Sequence, residues 1–170
     1  MERSDLPKFQ EWLNDPETTE GLSHFLPVSM ADEESWFDQM MRSDAEQRPL
    51  AIEIQDGKAW QLAGNDGLFH LEWTNRSAEF GIFIGDKSRW DKSGTEVLQL
   101  VLQHAFDTLN LNRVYLRVFA TNARAKHSYE KAGAVPEGRM RQAIFRHGQY
   151  IDVHTMSTLR SGWRKGREGK

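Results

Sequence analysis

The residues best suited to chemistry lie in a short polar turn, "RWDKSGTE", which leads directly into an apolar helix pattern. Arg89 and Lys92 supply positive charge, and Gly94 would let the backbone approach a ligand closely. The unpaired amides and the dipole at the start of a helix both favour a bound anion. The turn is therefore a candidate phosphate site. The alternative is a simple capping box, S-x-x-E, formed by Ser93 and Glu96.

A second candidate is Glu79, which lies inside an otherwise apolar strand pattern, "SAEFGIFIG". A carboxylate there is costly unless it faces water, a partner or a ligand. We therefore expect a general base at Glu79, or else an edge carboxylate, or one paired with an arginine such as Arg76. Strand alternation predicts one face with Ala78, Phe80 and Ile82 and the other with Glu79, Gly81 and Phe83.

The composition excludes several other chemistries. The chain contains no cysteine, so disulfides, thiolate metal sites and cysteine nucleophiles are ruled out. None of the six histidines has the spacing of a zinc protease. We expect no metal. These histidines are His24, His70, His104, His127, His147 and His154.

The chain has 170 residues, the usual size of one domain, and its charge is unevenly distributed. Residues 1–60 hold five Lys or Arg against fourteen Asp or Glu, and residues 101–170 hold thirteen against five. A basic part could face an anionic ligand and an acidic part a cationic one, or both could be solvated faces. No apolar run is long enough to cross a membrane, and the N-terminus lacks a signal-peptide core, so we expect a cytoplasmic protein.

The periodicity predicts the element order α α β β β α β α β β in one α+β domain, residues 1–160, followed by a basic, mobile tail, residues 161–170. The clearest pattern is the apolar stripe of the helix that follows the turn, from about Thr95 to Asn110. A turn at His147–Gly148 joins the last two strands.

Several of these segments together resemble the GNAT superfamily of acyl-CoA-dependent N-acetyltransferases. The branch that looks most similar holds ribosomal-protein N-terminal and spermidine acetyltransferases. The resemblance is carried by "NRSAEFGIFIGDK", "RWDKSGTE" with its helix, "LNRVYLRVFATNARAKHSYEKAG" and "EGRMRQAIFRHGQYIDVHTMSTLR". It covers about nine-tenths of the chain in the expected order.

The resemblance implies a GNAT-type mixed, mostly antiparallel central sheet that is flanked by helices and splayed at the cofactor-binding strands. The chain departs from the pattern in three places. Lys92 replaces the middle glycine of the phosphate loop, Ala134 replaces a usual phenylalanine, and no strand is expected before the first helix.

The resemblance also implies acetyl-CoA as the co-substrate. The backbone of Ile82, Phe83 and Ile84 would run beside the pantetheine arm, and Asn122 would bind its amide. Lys126 would approach the phosphates. The loop that would hold the pyrophosphate consists of Arg89, Trp90, Asp91, Lys92, Ser93, Gly94 and Thr95.

The implied reaction is attack of a neutral amine on the thioester. An amine with a pKa near 8 to 10 must first lose a proton, and the leaving thiolate must gain one. Glu79 is the candidate base. Tyr129 matches the family tyrosine near the sulfur and is the candidate acid, or else a helix residue packed on the sheet. Because no cysteine is available, we expect direct transfer in a ternary complex.

The acceptor remains open among a polyamine, an amino-sugar type molecule and a protein N-terminus. The acids at Asp32, Glu33 and Glu34 suit a cationic amine, or they merely start a helix. A homodimer fits this branch, and we expect neither a membrane nor a nucleic-acid partner. The alternative function is a non-catalytic acyl-CoA-binding sensor or partner module with the same fold. A weaker third possibility is nucleic-acid binding by the basic tail.

Overall fold

The computed structural model describes residues 1–24, 26–90 and 93–163. Its helices are α1 (Leu6–Leu13), α2 (Pro16–Thr19), α3 (Met30–Met41), α4 (Gly94–Gln103) and α5 (Ala123–Lys131). Its strands are β1 (Leu50–Asp56), β2 (Ala59–Glu72), β3 (Ser77–Ile84), β4 (Arg113–Phe119), β5 (Val135–Arg146) and β6 (Gln149–Leu159).

The six strands form one mixed sheet in the order β1-β2-β3-β4-β6-β5. The pairs β1–β2, β4–β6 and β5–β6 are antiparallel, whereas β3 and β4 are parallel. The parallel pairing is short. It runs from Ser77–Arg113 to Glu79–Tyr115 and stops there, although both strands continue. This is the splay that the sequence predicted.

The helix boundaries follow from local capping. The Ser29 hydroxyl accepts a hydrogen bond from the Asp32 amide, and the Asp32 carboxylate accepts one from the Ser29 amide, so a capping box starts α3. Asp15 caps α2 by accepting from the amides of Glu17 and Thr18. After α4 the chain continues in a wider π-helical turn from His104 to Thr108.

The chain divides into two compact units. The first contains residues 1–68 and 82–91 and has an aromatic core. Phe9 lies edge-on to Trp12, with ring centroids 5.6 Å apart, and Phe83 lies 6.2 Å from both rings. Gly85 is required here because a Cβ atom at this position would lie 2.0 Å from the Trp12 indole.

The second unit contains residues 69–81 and 92–170. Its aliphatic core includes fully buried side chains from α4, β4 and β6, among them Leu98, Leu102, Leu116 and Met156. The stripe predicted for the helix after the turn is thus confirmed. Trp163 lies 5.4 Å from Phe106, ring centroid to ring centroid.

The predicted order of elements is confirmed, with two differences. Asp15 and Pro16 start a short extra helix, α2, that the predicted order of elements does not contain. Residues 161–163 of the predicted mobile tail are helical, and Trp163 packs there on Phe106. The rest of that tail lies outside the described residues. Among the described residues the first strand is β1, so helices come before the sheet.

Candidate active site

The N-terminus of α4 is not closed by the predicted capping box. Ser93 has helical backbone angles, and its side chain makes no capping hydrogen bond. Its carbonyl accepts from the Val97 amide at 2.9 Å. The capping interpretation of Ser93 and Glu96 is therefore wrong, because Ser93 has helical backbone angles where a capping residue has extended ones. The start of α4 keeps its capacity to bind an anion.

Gly94 and Thr95 begin α4 close to Ser128 of α5. The Thr95 hydroxyl donates to the Ser128 carbonyl at 3.2 Å. A Cβ atom added at Gly94 would meet the Ser128 Cβ at 3.5 Å, an ordinary contact distance. The packing of the protein does not itself demand a glycine at position 94. A ligand that lies against this backbone would demand a glycine there.

Arg89 and Trp90 lie in the first unit, where they contact the chain around β3. The Trp90 indole nitrogen donates to the Ile84 carbonyl at 2.7 Å. The Arg89 guanidinium lies 3.7 Å from an Asp56 oxygen and 3.8 Å from an Asp86 oxygen. These two ion pairs are long and partly exposed, so they are weak and leave Arg89 able to engage another anion. Asp91 and Lys92 lie outside the described residues.

The predicted pantetheine residues differ in what they offer. The Ile84 carbonyl already accepts a hydrogen bond from the Trp90 indole, so it is less available to the pantetheine arm than the resemblance implied. Their burial also differs: Ile82, like Gly81, is half-buried, whereas Phe83 is buried. A Cβ atom at Gly64 would lie 2.0 Å from the Phe83 carbonyl oxygen.

Asn122 and Lys126 lie on the same side of the start of α5, four residues apart. The Asn122 side-chain oxygen caps the helix by accepting from the Ala125 amide at 3.0 Å. Its amide nitrogen is thereby oriented to donate elsewhere. Lys126 reaches the Glu130 carboxylate only at 3.8 Å.

The Glu79 carboxylate contacts two side chains of the second unit, Arg117 and His70. One carboxylate oxygen accepts from Nε of Arg117 at 2.7 Å, and the other lies 3.1 Å from Nδ1 of His70. Only 12% of the Glu79 side chain is exposed. The arginine partner is therefore Arg117 and not Arg76, which has a left-handed backbone, φ 51°, in the turn before β3.

Tyr129 is buried on α5, where its ring lies edge-on to Phe80 with centroids 6.4 Å apart. Burial raises the pKa of the phenol to about 12. The hydroxyl thus stays protonated at neutral pH and can donate a hydrogen bond. The packing alternative for Tyr129 is also correct, since the ring is part of the core.

The acids expected to face an amine have different surroundings. Asp32 belongs to the capping box of α3, as the alternative interpretation held. Glu33 is buried, and burial raises the pKa of its carboxyl. Glu34 is exposed.

His70 and Arg117 are the two side chains of the Glu79 cluster that sequence analysis did not select. They come from β2 and β4, and their placement depends on strand register, which is a tertiary property. The one usable signal was a histidine in a strand pattern only nine residues before the candidate base.

Within residues 1–24, 26–90 and 93–163, no group of three or more His, Asp or Glu side chains is arranged to hold a metal ion. In the same ranges no helix has both the length and the apolar character needed to cross a bilayer.

Comparison with known proteins identifies the family. Residues 1–135 match the model of the acetyltransferase (GNAT) domain. A spermidine N(1)-acetyltransferase of Vibrio cholerae serotype O1 is 31% identical over 162 residues, which cover 95% of this chain and 91% of that protein. An L-amino acid N-acetyltransferase of Escherichia coli K12 is 31% identical over 85 residues, covering 49% and 51%.

The fold agrees with this result. The crystal structure of spermidine N-acetyltransferase from Vibrio cholerae, in complex with CoA and spermine, superposes with a TM-score of 0.86. It is 27% identical in sequence, and the superposition covers 96% of this chain and 95% of that one. The chain belongs to the GNAT family of acetyltransferases and is an acetyl-CoA-dependent N-acetyltransferase.

Proposed function

We propose that the protein transfers the acetyl group of acetyl-CoA to a primary amine of a polyamine such as spermidine or spermine. The observation that carries the donor half of the proposal is the start of α4, where Ser93 makes no side-chain cap and the packing of the described residues does not require Gly94. The acceptor half is supported by the Vibrio cholerae enzyme, a spermidine acetyltransferase whose structure holds CoA and spermine. The excess of acids in residues 1–60 supports a cationic acceptor.

The residues that would hold acetyl-CoA fit an anionic, amide-containing molecule. The helix amides at Gly94 and Thr95 would hold phosphate oxygens, assisted by Lys126. The sequence motif predicts a phosphate contact for Arg89 as well. Asn122 would donate to a pantetheine carbonyl. Further donors and acceptors would come from the backbone of Ile82, Phe83 and Ile84, and the remaining loop contacts from Trp90, Asp91, Lys92 and Ser93.

In the proposed reaction, the chain positions an amine and removes its proton. The sequence predicts the base at Glu79, whose carboxylate accepts a hydrogen bond from Nε of Arg117 at 2.7 Å. Tyr129 would donate a hydrogen bond to the sulfur as negative charge develops there. Because a thiol has a pKa near 8.5, complete proton transfer from a phenol of pKa about 12 is uphill, so solvent would finally protonate the thiolate.

A panel of acceptors tests the proposal. Release of free thiol from acetyl-CoA would be followed with spermidine, spermine, a monoamine, an aminoglycoside, an L-amino acid and a peptide with a free N-terminus. We expect the highest kcat/KM with the polyamines. A higher kcat/KM for any other class would overturn the polyamine assignment, and binding of acetyl-CoA with no turnover would favour the non-catalytic alternative.

We infer in addition that the protein is a homodimer. The edge strand β5 is exposed from Val135 to Ala143 and pairs only with β6 in the described part of the sheet. Exposed Met140, Phe145 and Tyr150 add apolar surface nearby. Sedimentation velocity should give twice the chain mass, and Phe145→Glu should reduce it to one chain. If the wild-type protein remained a monomer over a 100-fold range of protein concentration, the inference would be contradicted.

The proposed substrate also supports a cytoplasmic location, because acetyl-CoA is an intracellular metabolite. Fractionation of cells that express the protein would test this assignment.

A further inference from the structure

His70, Glu79 and Arg117 form a connected chain of side chains in the second unit. Nδ1 of His70 lies 3.1 Å from one Glu79 oxygen, and Nε of Arg117 donates to the other at 2.7 Å. The outer side chains of this series, His70 and Arg117, are exposed, whereas the Glu79 side chain is 12% exposed. The imidazole therefore stands between the carboxylate and solvent, with 69% of its side chain exposed.

The backbone at His70 is unusual for a strand residue. Its φ is 49°, the left-handed region, although the residue lies within β2. This conformation costs a non-glycine residue about 1 kcal/mol, and such costs concentrate at functional sites. The left-handed residue interrupts the strand alternation, and the imidazole reaches the carboxylate of Glu79.

The contacts of Glu79 leave it poorly placed to accept a proton directly. Both of its oxygens have a polar partner, and one partner is a guanidinium in a charge-assisted hydrogen bond. An imidazole is the more suitable acceptor near neutral pH, since its ordinary pKa is near 6.5 against about 4.3 for a glutamate. In the described part of the chain, no hydrogen bond to Nε2 of His70 is present.

The remaining ionisable groups around the pair come from β2 and β4. Glu72 lies two residues beyond His70 on β2, and Arg117 lies on β4. Tyr115 of β4 has its pKa raised by burial and then by the negative charges of Glu79 and Glu72. The charged side chains that act on Tyr115 in this cluster are two carboxylates, Glu79 and Glu72, and two guanidiniums, Arg117 and Arg113.

We propose that His70 is the general base of the acetyl transfer, with Glu79 as its positioning residue and Arg117 as the group that holds the Glu79 carboxylate in place. This inference rests on the proposed function and moves the role of the base within it from Glu79 to His70. Nδ1–H of His70 donates to Glu79, which fixes the tautomer in which Nε2 accepts a proton.

In the step, Nε2 takes a proton from the ammonium group of the acceptor. The freed nitrogen lone pair forms a bond to the thioester carbonyl carbon, and the C–S bond breaks with its electron pair on sulfur. The sulfur takes up a proton from solvent, the new amide nitrogen loses one, and His70 returns its proton to solvent. The net products are the N-acetyl amine, free CoA thiol and one proton.

The test compares pH profiles of kcat/KM for His70→Gln, Glu79→Gln and a control, His104→Gln, an exposed histidine on the turn after α4. We expect a loss of about 100-fold in kcat/KM for His70→Gln, the usual contribution of a general base, with an unchanged affinity for acetyl-CoA by calorimetry. The acidic limb of the wild-type profile should disappear in this variant and persist in the control.

The double variant His70→Gln/Glu79→Gln should be no slower than His70→Gln alone, because the two residues act as one unit. If His70→Gln keeps activity within threefold and retains the acidic limb while Glu79→Gln is inactive, Glu79 is itself the base and the proposal is wrong.

A second measurement does not need turnover. Nitrogen NMR of the neutral ring should show His70 protonated at Nδ1, and Glu79→Gln should redistribute the two tautomers. An Nε2-protonated ring in the wild type would overturn the proposal. If no amine is acetylated by the wild type, the proposed function fails, while the tautomer measurement still decides the His70–Glu79 pair.

Discussion

At the scale of single residues, Tyr129 shows how burial limits a catalytic role. Its phenol has a pKa of about 12 because desolvation penalises the phenolate. We predict that Tyr129→Phe lowers kcat by about 10- to 100-fold through loss of one hydrogen bond to the developing thiolate, about 1.5–3 kcal/mol. The affinity for acetyl-CoA should not change. Rapid-mixing kinetics with spermidine would measure the change, and a wild-type kcat in this variant would remove Tyr129 from the mechanism.

Asp66 is a buried carboxylate whose burial raises its pKa to about 6, opposed only by the N-terminal amine charge. One of its oxygens, Oδ1, has no hydrogen-bond partner in the described residues. Between pH 4 and 6 the folded protein then binds more protons than the unfolded chain. Its contribution to stability is therefore greatest below pH 4 and falls as pH rises to 6, by about 2–3 kcal/mol.

Asp66→Asn removes this titration. We predict that the variant is more stable than the wild type at pH 7 by about 1–2 kcal/mol, since its unpaired amide offsets part of the gain. The pH dependence between 4 and 6 should be reduced. Urea unfolding across that range would check both effects, with exposed Glu34→Gln as the control. A fall in stability at pH 7 would show that Asp66 is paired and charged in the folded protein.

The residue scale also shows where prediction from sequence ends. Glu79 was identified by its position in an apolar strand, and the possibility of an arginine partner was foreseen. The partner proved to be Arg117, not Arg76, because the register of β3 on β4 sets it. No local pattern contains that register.

At the scale of elements, the N-terminus of α4 is the feature that most directly links fold to ligand. We predict that Gly94→Ala folds with an unchanged Tm, because the added methyl meets Ser128 only at an ordinary contact distance. Its affinity for acetyl-CoA should fall about tenfold or more, because the methyl occupies space beside the helix amides. Calorimetric titration with acetyl-CoA would measure this effect.

Gly64→Ala is the matched comparison. A Cβ atom there would lie 2.0 Å from a backbone oxygen of Phe83, so this variant should lose about 2–3 kcal/mol of stability. If Gly94→Ala instead bound acetyl-CoA as the wild type does, the start of α4 would not be the phosphate site.

The elements themselves were largely predictable because their signals are local. The apolar period of α4, the Ser29–Asp32 cap and the His147–Gly148 turn each lie within a few residues, and both turn residues have positive φ, as the turn requires. The prediction of a cap at Ser93 failed although its signal was equally local. A capping motif specifies only a possible bond, and the helical backbone angles of Ser93 do not suit it.

At the scale of the whole molecule, charge distribution is the property that bears on the acceptor. Residues 1–60 carry a net charge of −9. We predict that raising the salt concentration from 50 to 500 mM raises KM for spermidine at least threefold, because screening weakens attraction of a polycation. KM for a monoamine should change less. Equal changes for both amines would show that the acidic residues do not contribute to recognition.

The expectation that residues 1–160 fold as one domain stays a prediction.

The central claim is catalysis of polyamine acetylation, and mass spectrometry of a multiple-turnover reaction tests it most directly. Protein at about 1 µM would be incubated with excess acetyl-CoA and spermidine, and the amounts of acetylated product and of free thiol would be measured. We predict monoacetylated spermidine in large excess over protein, matched one to one by thiol. Unmodified spermidine, with acetyl-CoA intact or its thiol release no faster than in buffer, would contradict the account.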